Sequence, residues 1–203
     1  MPPFDKIVAH LRGSIDRLAA SRLQPLINGT GILLHTNFGR APLGPEAVDA
    51  VRKISGSYNN LEYDLETGGR GKRAPYIEQI LALLCQAESA TVVNNCAAAL
   101  VLLVQHFTKK KPEVIISRGE LVQIGGGFRI GEILETSGAR LREVGATNQT
   151  TLEDYAGAVS PETAMILRVH QSNFFMSGFT AAPPNVEIAR IAKRGRVPFV
   201  VDL

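Results

Sequence analysis

Cysteine is scarce in this sequence. The 203 residues hold two, Cys85 and Cys96, with no Cys-x-x-Cys spacing and no framework of pairs. A disulfide-stapled secreted scaffold is thereby excluded, no metal site is expected, and a reducing, cytoplasmic setting is the default expectation. Long apolar runs are missing too. None approaches the roughly 18 residues that a membrane-spanning helix requires, and the opening MPPFDKIVAH lacks the basic stretch and apolar core of a secretory signal, so no membrane partner is expected. Net charge is small, +3, which permits a polyanionic partner without requiring one. Internal repeats and low-complexity stretches are absent. Two nucleotide signatures are also wanting: no G-x-G-x-x-G opens a helix, and GRGKR, Gly69 to Arg73, has arginine where a Walker A loop needs serine or threonine.

What is present is organised in two styles. A chain of this length, 45% hydrophobic, suffices for one good core, or for a core domain with an appendage. From Asp5 to about Arg22, Ile7, Leu11, Ile15 and Leu18 recur at helical spacing ahead of Pro25, which predicts a short amphipathic helix serving as connector or packing arm. Residues 1–25 are read as this amino-terminal helical segment. From Ile27 to Arg73 the text is irregular and rich in Gly and Asn, with a helix expected near Pro45. After residue 85 the pattern turns regular. Apolar, β-branched runs ATVV, EVIIS, LREV, AMILRV and PFVVDL alternate with helical-period segments CAAALVLLVQHF, FRIGEILETSG, TLEDYAGAV and NVEIARIAKRG. Such alternation predicts an α/β fold, an open and mostly parallel sheet covered by helices on both faces.

Open parallel sheets bind ligands beyond the carboxyl ends of their strands. Those exits read Asn94-Asn95-Cys96, then SRGELVQIGGG, GATNQ, HQSNF, and finally Asp202. In VVNNCAAAL a strand runs directly into a helix of small residues, leaving free N–H groups at a positive dipole end where an anion, above all a phosphate, would fit. An ordinary asparagine cap over a tightly packed helix explains the same residues equally well. Asp202 ends an apolar strand, where a carboxylate is costly unless a cation meets it. A protonated pyridine nitrogen is such a cation, and a phosphate cradle with a distant acid describes the two ends of pyridoxal 5'-phosphate. Capping of the next turn is the plainer role for Asp202.

The stretches INGTGILLHTNFGRAPL, NLEYDLETGGRGKR, VVNNCAAALVLL, ISRGELVQIGGGFRI, EVGATNQT, VHQSNFFMSGFT and VPFVVDL, in this order across roughly residues 26–203, resemble the bacterial selenocysteine synthases, the L-seryl-tRNA(Sec) selenium transferases. The resemblance implies a fold type I pyridoxal phosphate enzyme, with residues 26–203 forming the amino-terminal part of its large domain. It also implies a cytoplasmic homo-oligomer built from dimers, with seryl-tRNA(Sec) and selenophosphate as substrates for selenocysteine biosynthesis. Carried over by position, it assigns the backbone N–H groups of Asn95, Cys96 and Ala97 to the phosphate, Asp202 to the ring nitrogen, and His170, Ser172 and Asn173 to the cofactor's surroundings, Asn173 facing the phenolic oxygen. Arg70 and Arg73 are assigned to selenophosphate, whose oxygens suit a guanidinium fork. A solvated basic loop is the alternative for these arginines. Glycines 125–127 would admit backbone close to the ring, or would simply make a turn.

Departures from the family pattern accompany the match. The cradle commonly reads three asparagines, and here Cys96 is the third; Gln149 stands where the family often has arginine; and the region before residue 26 is short beside the family's tRNA-contacting amino-terminal domain. The family's Schiff-base lysine lies well beyond the strand that carries the acid, whereas no lysine follows Lys193, so no catalytic residue is assigned and these 203 residues alone are expected to be an inactive, truncated or partial form. Two other functions fit the same residues: a related pyridoxal phosphate lyase acting on a small amino acid or amino sugar, and a non-catalytic remnant that binds tRNA or a full-length partner.

Overall fold

The computed structural model describes residues 2–73 and 75–203, which fall into two units, Met1–Pro75 and Tyr76–Leu203. In the first, α1 (Phe4–Ala20) carries Asp5 in its first turn and Arg17 in its last, each of the sign that the helix dipole favours there. Its apolar stripe of Ile7, Leu11, Ile15 and Leu18 stays exposed. The second helix, α2 (Pro45–Ser55), starts as the spacing predicts, with proline at a position whose N–H would have no partner anyway. Between α2 and the end of the unit the backbone folds back on itself at Asp64. The Asp64 carboxylate accepts the N–H groups of Thr67 and Glu66, which holds it below the usual carboxylate range, and Tyr63 bridges Arg70 across the resulting turn.

Then α3 (Pro75–Leu84) precedes α4 (Cys96–Phe107), β1 (Glu113–Ser117), β2 (Gln123–Ile124), β3 (Phe128–Arg129), α5 (Ile130–Thr136), β4 (Arg140–Val144), α6 (Leu152–Ala158), β5 (Thr163–Val169), α7 (Asn185–Gly195) and β6 (Phe199–Asp202). Four strands pair in parallel in the order β4-β1-β5-β6, as the alternation of strand and helix dictates. Register sets Ile115 beside Arg142 and Ile166, Ile166 beside Phe199, and Val169 beside Asp202. Because side chains alternate along a strand, each strand feeds two cores. Val114, Ile116, Met165, Leu167 and Val169 meet Leu100 and Val104 of α4 and Leu134 of α5 on one face. On the other, Ile115 and Ile166 meet Tyr155 of α6 and Ile188 and Ile191 of α7. Full burial of an aliphatic side chain stabilises by about 1.5–3 kcal/mol, so these central residues dominate the unit's stability.

The sheet departs from the sequence reading in three places. ATVV forms no strand: among the described residues it has no ladder partner, and Thr91 bonds to Glu78 of α3 instead. The apolar pattern predicts burial, yet Thr91 and Val92 are exposed and none of the four residues is fully buried, because a strand also needs a neighbour. The helical segment read from Phe128 begins at Ile130, since Phe128 and Arg129 pair with Ile124 and Gln123 in a short hairpin. Gly125 and Gly127, at φ of 58° and 102°, make its turn, so the glycine triplet has a local backbone role. Finally, α3 lies in a segment for which no helix was expected.

Candidate active site

Parallel strands aim their carboxyl ends at one edge of the sheet, and there the chain opens a cleft of about 320 Å³. Ser117 and Glu120 reach it from the exit of β1, Gln149 from that of β4, Arg168 and His170 from β5, and Asp202 from β6. The β1 exit is a tight turn, Arg118-Gly119-Glu120, pressed against the β4 exit loop. A Cβ on Gly119 would lie 2.6 Å from the Thr147 carbonyl oxygen, so a side chain there is excluded. Ser117 and Thr150 exchange a hydroxyl hydrogen bond of 2.7 Å across the same junction.

Two segments far apart in sequence meet at this edge. The Cys96 thiol, first residue of α4, donates to Asp202 Oδ1 at 3.0 Å. That bond, with some burial and the carboxylate's charge, pushes the thiol up to about 11. At the head of α4, the Asn95 side chain accepts the Ala98 N–H at 2.8 Å, which leaves the N–H groups of Cys96 and Ala97 as first-turn donors without an acceptor among the described residues. Asn95 is thus a helix cap, and an anion donor set remains beside it. Asp202 is held by its backbone, whose carbonyl accepts the His170 N–H at 3.0 Å. His170 Nδ1 accepts the Ser172 N–H at 3.0 Å, which fits Ser172 into a left-handed conformation at φ 60°. Ser172 and Asn173 continue into an exposed turn beyond the lining of the cleft.

Arg70 and Arg73 belong to the first unit, where both guanidinium groups converge on one carboxylate. Arg70 Nη2 lies 3.0 Å from Glu62 Oε2, and Arg73 bonds to Glu62 Oε1. The sequence reading gave these arginines an anion to bind; here Glu62 supplies one from their own loop. Gln149, in the position where arginine is often found, donates to the Phe179 carbonyl at 3.3 Å, alongside Asn148 at 2.6 Å.

One pair at the site was not foreseen. Glu120, 6% exposed, places Oε1 2.9 Å from Arg168 Nε and accepts the Val169 N–H on Oε2 at 3.1 Å. Burial raises the Glu120 carboxyl above its ordinary range, and the Val169 amide and the Arg168 charge oppose that rise. Tyr155, buried beneath, is pushed above the ordinary phenol range by burial and by the Glu120 charge. For Arg168 the signal was available, since AMILRV holds a single charge inside an otherwise apolar run; SRGELV, with two charges beside serine and glycine, does not mark Glu120 in the same way. Among the described residues, no cluster of three or more His, Cys, Asp or Glu could hold a metal ion.

Similarity to known proteins was found in sequence and in fold. The model of the family described as L-seryl-tRNA selenium transferase matches residues 26–203. The L-seryl-tRNA(Sec) selenium transferase of Rhizobium meliloti is 48% identical over 203 residues, covering 100% of this chain and 43% of that protein. That of Carboxydothermus hydrogenoformans is 47% identical over 200 residues, covering 98% and 43%. The chain therefore spans less than half the length of these relatives. Among solved structures, a D-glucosaminate-6-phosphate ammonia-lyase aligns with a TM-score of 0.69 at 17% identity over 93% of this chain and 50% of its own. A complex of SepCysS with the SepCysE amino-terminal domain aligns at 0.58 and 16%, over 93% and 48%. The fold is shared with these two structures, and the chain belongs to the L-seryl-tRNA selenium transferase family.

Proposed function

We propose that this chain supplies half of the cofactor site of a pyridoxal 5'-phosphate-dependent selenium transferase, which acts on seryl-tRNA(Sec) with selenophosphate and forms selenocysteinyl-tRNA(Sec) in the cytoplasm, as a homo-oligomer built from dimers. The observation that carries the proposal is the contact between Cys96 and Asp202. It puts free amide donors at a helix start and a carboxylate at a strand end on one edge of one sheet, within the span of a single thiol side chain. Pyridoxal phosphate needs both, an anion receptor for its phosphate and an acid for its ring nitrogen, so the residues present fit the group.

When bound, the group supplies an electron sink that labilises the substituents of an amino acid's α- and β-carbons. The protein's contribution is placement and charge. Cys96 and Ala97 would donate amide hydrogens to phosphate oxygens under the favourable end of the α4 dipole. Asp202 would exchange the Cys96 thiol for the ring N–H and hold the proton there, as an ionised carboxylate favours a cationic neighbour. His170, tied to the Asp202 carbonyl through its own N–H, borders the same cleft and would pack beside the ring. Arg70 and Arg73 would receive selenophosphate by releasing Glu62, a displacement that a doubly charged oxyanion can drive at exposed guanidinium groups.

The test uses the full-length gene product. Selenocysteinyl-tRNA(Sec) formed from seryl-tRNA(Sec) and selenophosphate supports the proposal. Ammonia released from free amino acids or amino sugars, without transfer to tRNA, replaces it with a lyase. Binding of tRNA with neither reaction leaves a carrier function and refutes it.

A further inference from the structure

The pairing of Glu120 with Arg168 is a costly way to fill space. Two charges removed from water recover their desolvation only with good geometry, and an apolar pair of similar size commonly serves stability as well. The placement of this pair points to another use. β5 sends its His170 N–H to the Asp202 carbonyl of β6, whereas its Val169 N–H turns to the opposite side, where β1 has already ended. The Glu120 carboxylate takes the place of the carbonyl that a longer β1 would have offered, at 3.1 Å. Its other oxygen holds Arg168, whose Nη1 donates to the Pro183 carbonyl at 2.6 Å, next to the first residues of α7. One carboxylate thus joins the β1 exit, the end of β5 and the segment that leads into α7. The end of β5 is the neighbour against which Asp202 is registered.

We infer that Glu120 is a positioning residue for Asp202: it fixes the strand end that presents the ring-binding carboxylate and neutralises the Arg168 cation in the same cleft. This rests on the cofactor reading above. Without the Glu120 charge, Arg168 faces the cleft uncompensated and opposes a protonated ring nitrogen. The charged or titratable groups that line the cleft with Glu120 are Arg168 on β5, His170 beyond β5 and Asp202 on β6; Tyr155 on α6 feels the Glu120 charge, and Cys96 at the head of α4 bonds to Asp202.

The test takes the full-length protein and 4'-deoxypyridoxine 5'-phosphate, a cofactor analogue without the aldehyde, so that binding needs no lysine. Ring protonation is followed by absorbance against pH, and affinity by fluorescence. In Glu120→Gln the ring nitrogen of the bound probe should titrate about one unit lower and the probe should bind about tenfold more weakly. Glu120→Asp keeps the charge but reaches only one partner, so it should leave the titration in place and weaken binding about threefold. The double change Glu120→Gln with Arg168→Met removes the uncompensated cation and should return the titration toward the parent value. If affinity and titration stay at the parent values in whichever single variant folds, with only the Tm lowered, Glu120 is structural and the inference fails. An unmodified protein that binds no probe instead defeats the cofactor reading itself.

Discussion

The thiol of Cys96 offers the sharpest numerical check on the geometry. Raised to about 11 by its bond to Asp202, it carries far less thiolate at pH 8 than an ordinary thiol near 8.5. The difference is about 300-fold in thiolate. A thiolate of higher pKa is a better nucleophile, which at a Brønsted slope of about 0.4–0.5 returns roughly a factor of ten. Alkylation of Cys96 by iodoacetamide at pH 8 should then run about 30-fold slower than that of an unhindered model thiol, and its rate should still be climbing at pH 10. Mass spectrometry of the cofactor-free protein, quenched at intervals across pH 7–10, gives both quantities. In Asp202→Asn the charge is gone, and the rate should rise about tenfold at pH 8 with its midpoint moving down toward the ordinary range. The same bond makes a stability prediction. A group whose folded pKa is raised stabilises fully below its unfolded value, so the contribution is present at pH 7 and is lost as pH rises from about 8.5 toward 11. Labelling of Cys96 at the model-thiol rate at pH 8, unaffected by Asp202→Asn, would refute the contact, and with it the claim that the start of α4 and the end of β6 share one site.

Other consequences follow from particular contacts. Arg168→Met leaves Glu120 buried without its cation and should cost about 3–5 kcal/mol at pH 8 by urea denaturation. Because burial raises that carboxyl, the variant should recover stability as pH falls to 5, where the group can take up a proton, whereas loss that is equal at both values would contradict a charge origin. Gly145 has φ 67° and a Cβ there would meet the Gln149 carbonyl oxygen at 2.8 Å, so Gly145→Ala should lower stability by about 2 kcal/mol or more; a change under about 0.5 kcal/mol would show that the β4 exit loop yields. Ile115→Ala empties a site between α6, α7 and the sheet and should cost about 2–5 kcal/mol, read by the same denaturation.

The parts of the fold that could be read from the sequence are those whose cause is local. EVIIS became β1 and NVEIARIAKRG became α7 to the residue, because a β-branched run or a 3.6-residue apolar period already specifies which face is buried. ATVV carries the same signal as EVIIS but lacks a ladder partner among the described residues, and no periodicity reports a partner's presence. The hairpin at Gln123–Arg129 was hidden for a related reason: its two-residue strands are shorter than any alternation can reveal, and only the glycine triplet marks it. At the site, a carboxylate ending an apolar strand and a helix opening on asparagine were each legible, but the bond between Cys96 and Asp202 joins residues 106 apart in sequence and is set by the order β4-β1-β5-β6 rather than by either segment. Glu120 and Arg168 show the limit of local reasoning most clearly. A charge within an apolar run announces that a partner must exist, since an unpaired buried ion would neutralise itself, yet the identity of the partner depends on β1 stopping short of the end of β5. That shortfall is what exposes the Val169 amide and gives Glu120 a second bond to make, so the residue that holds the site together follows from the lengths of two neighbouring strands.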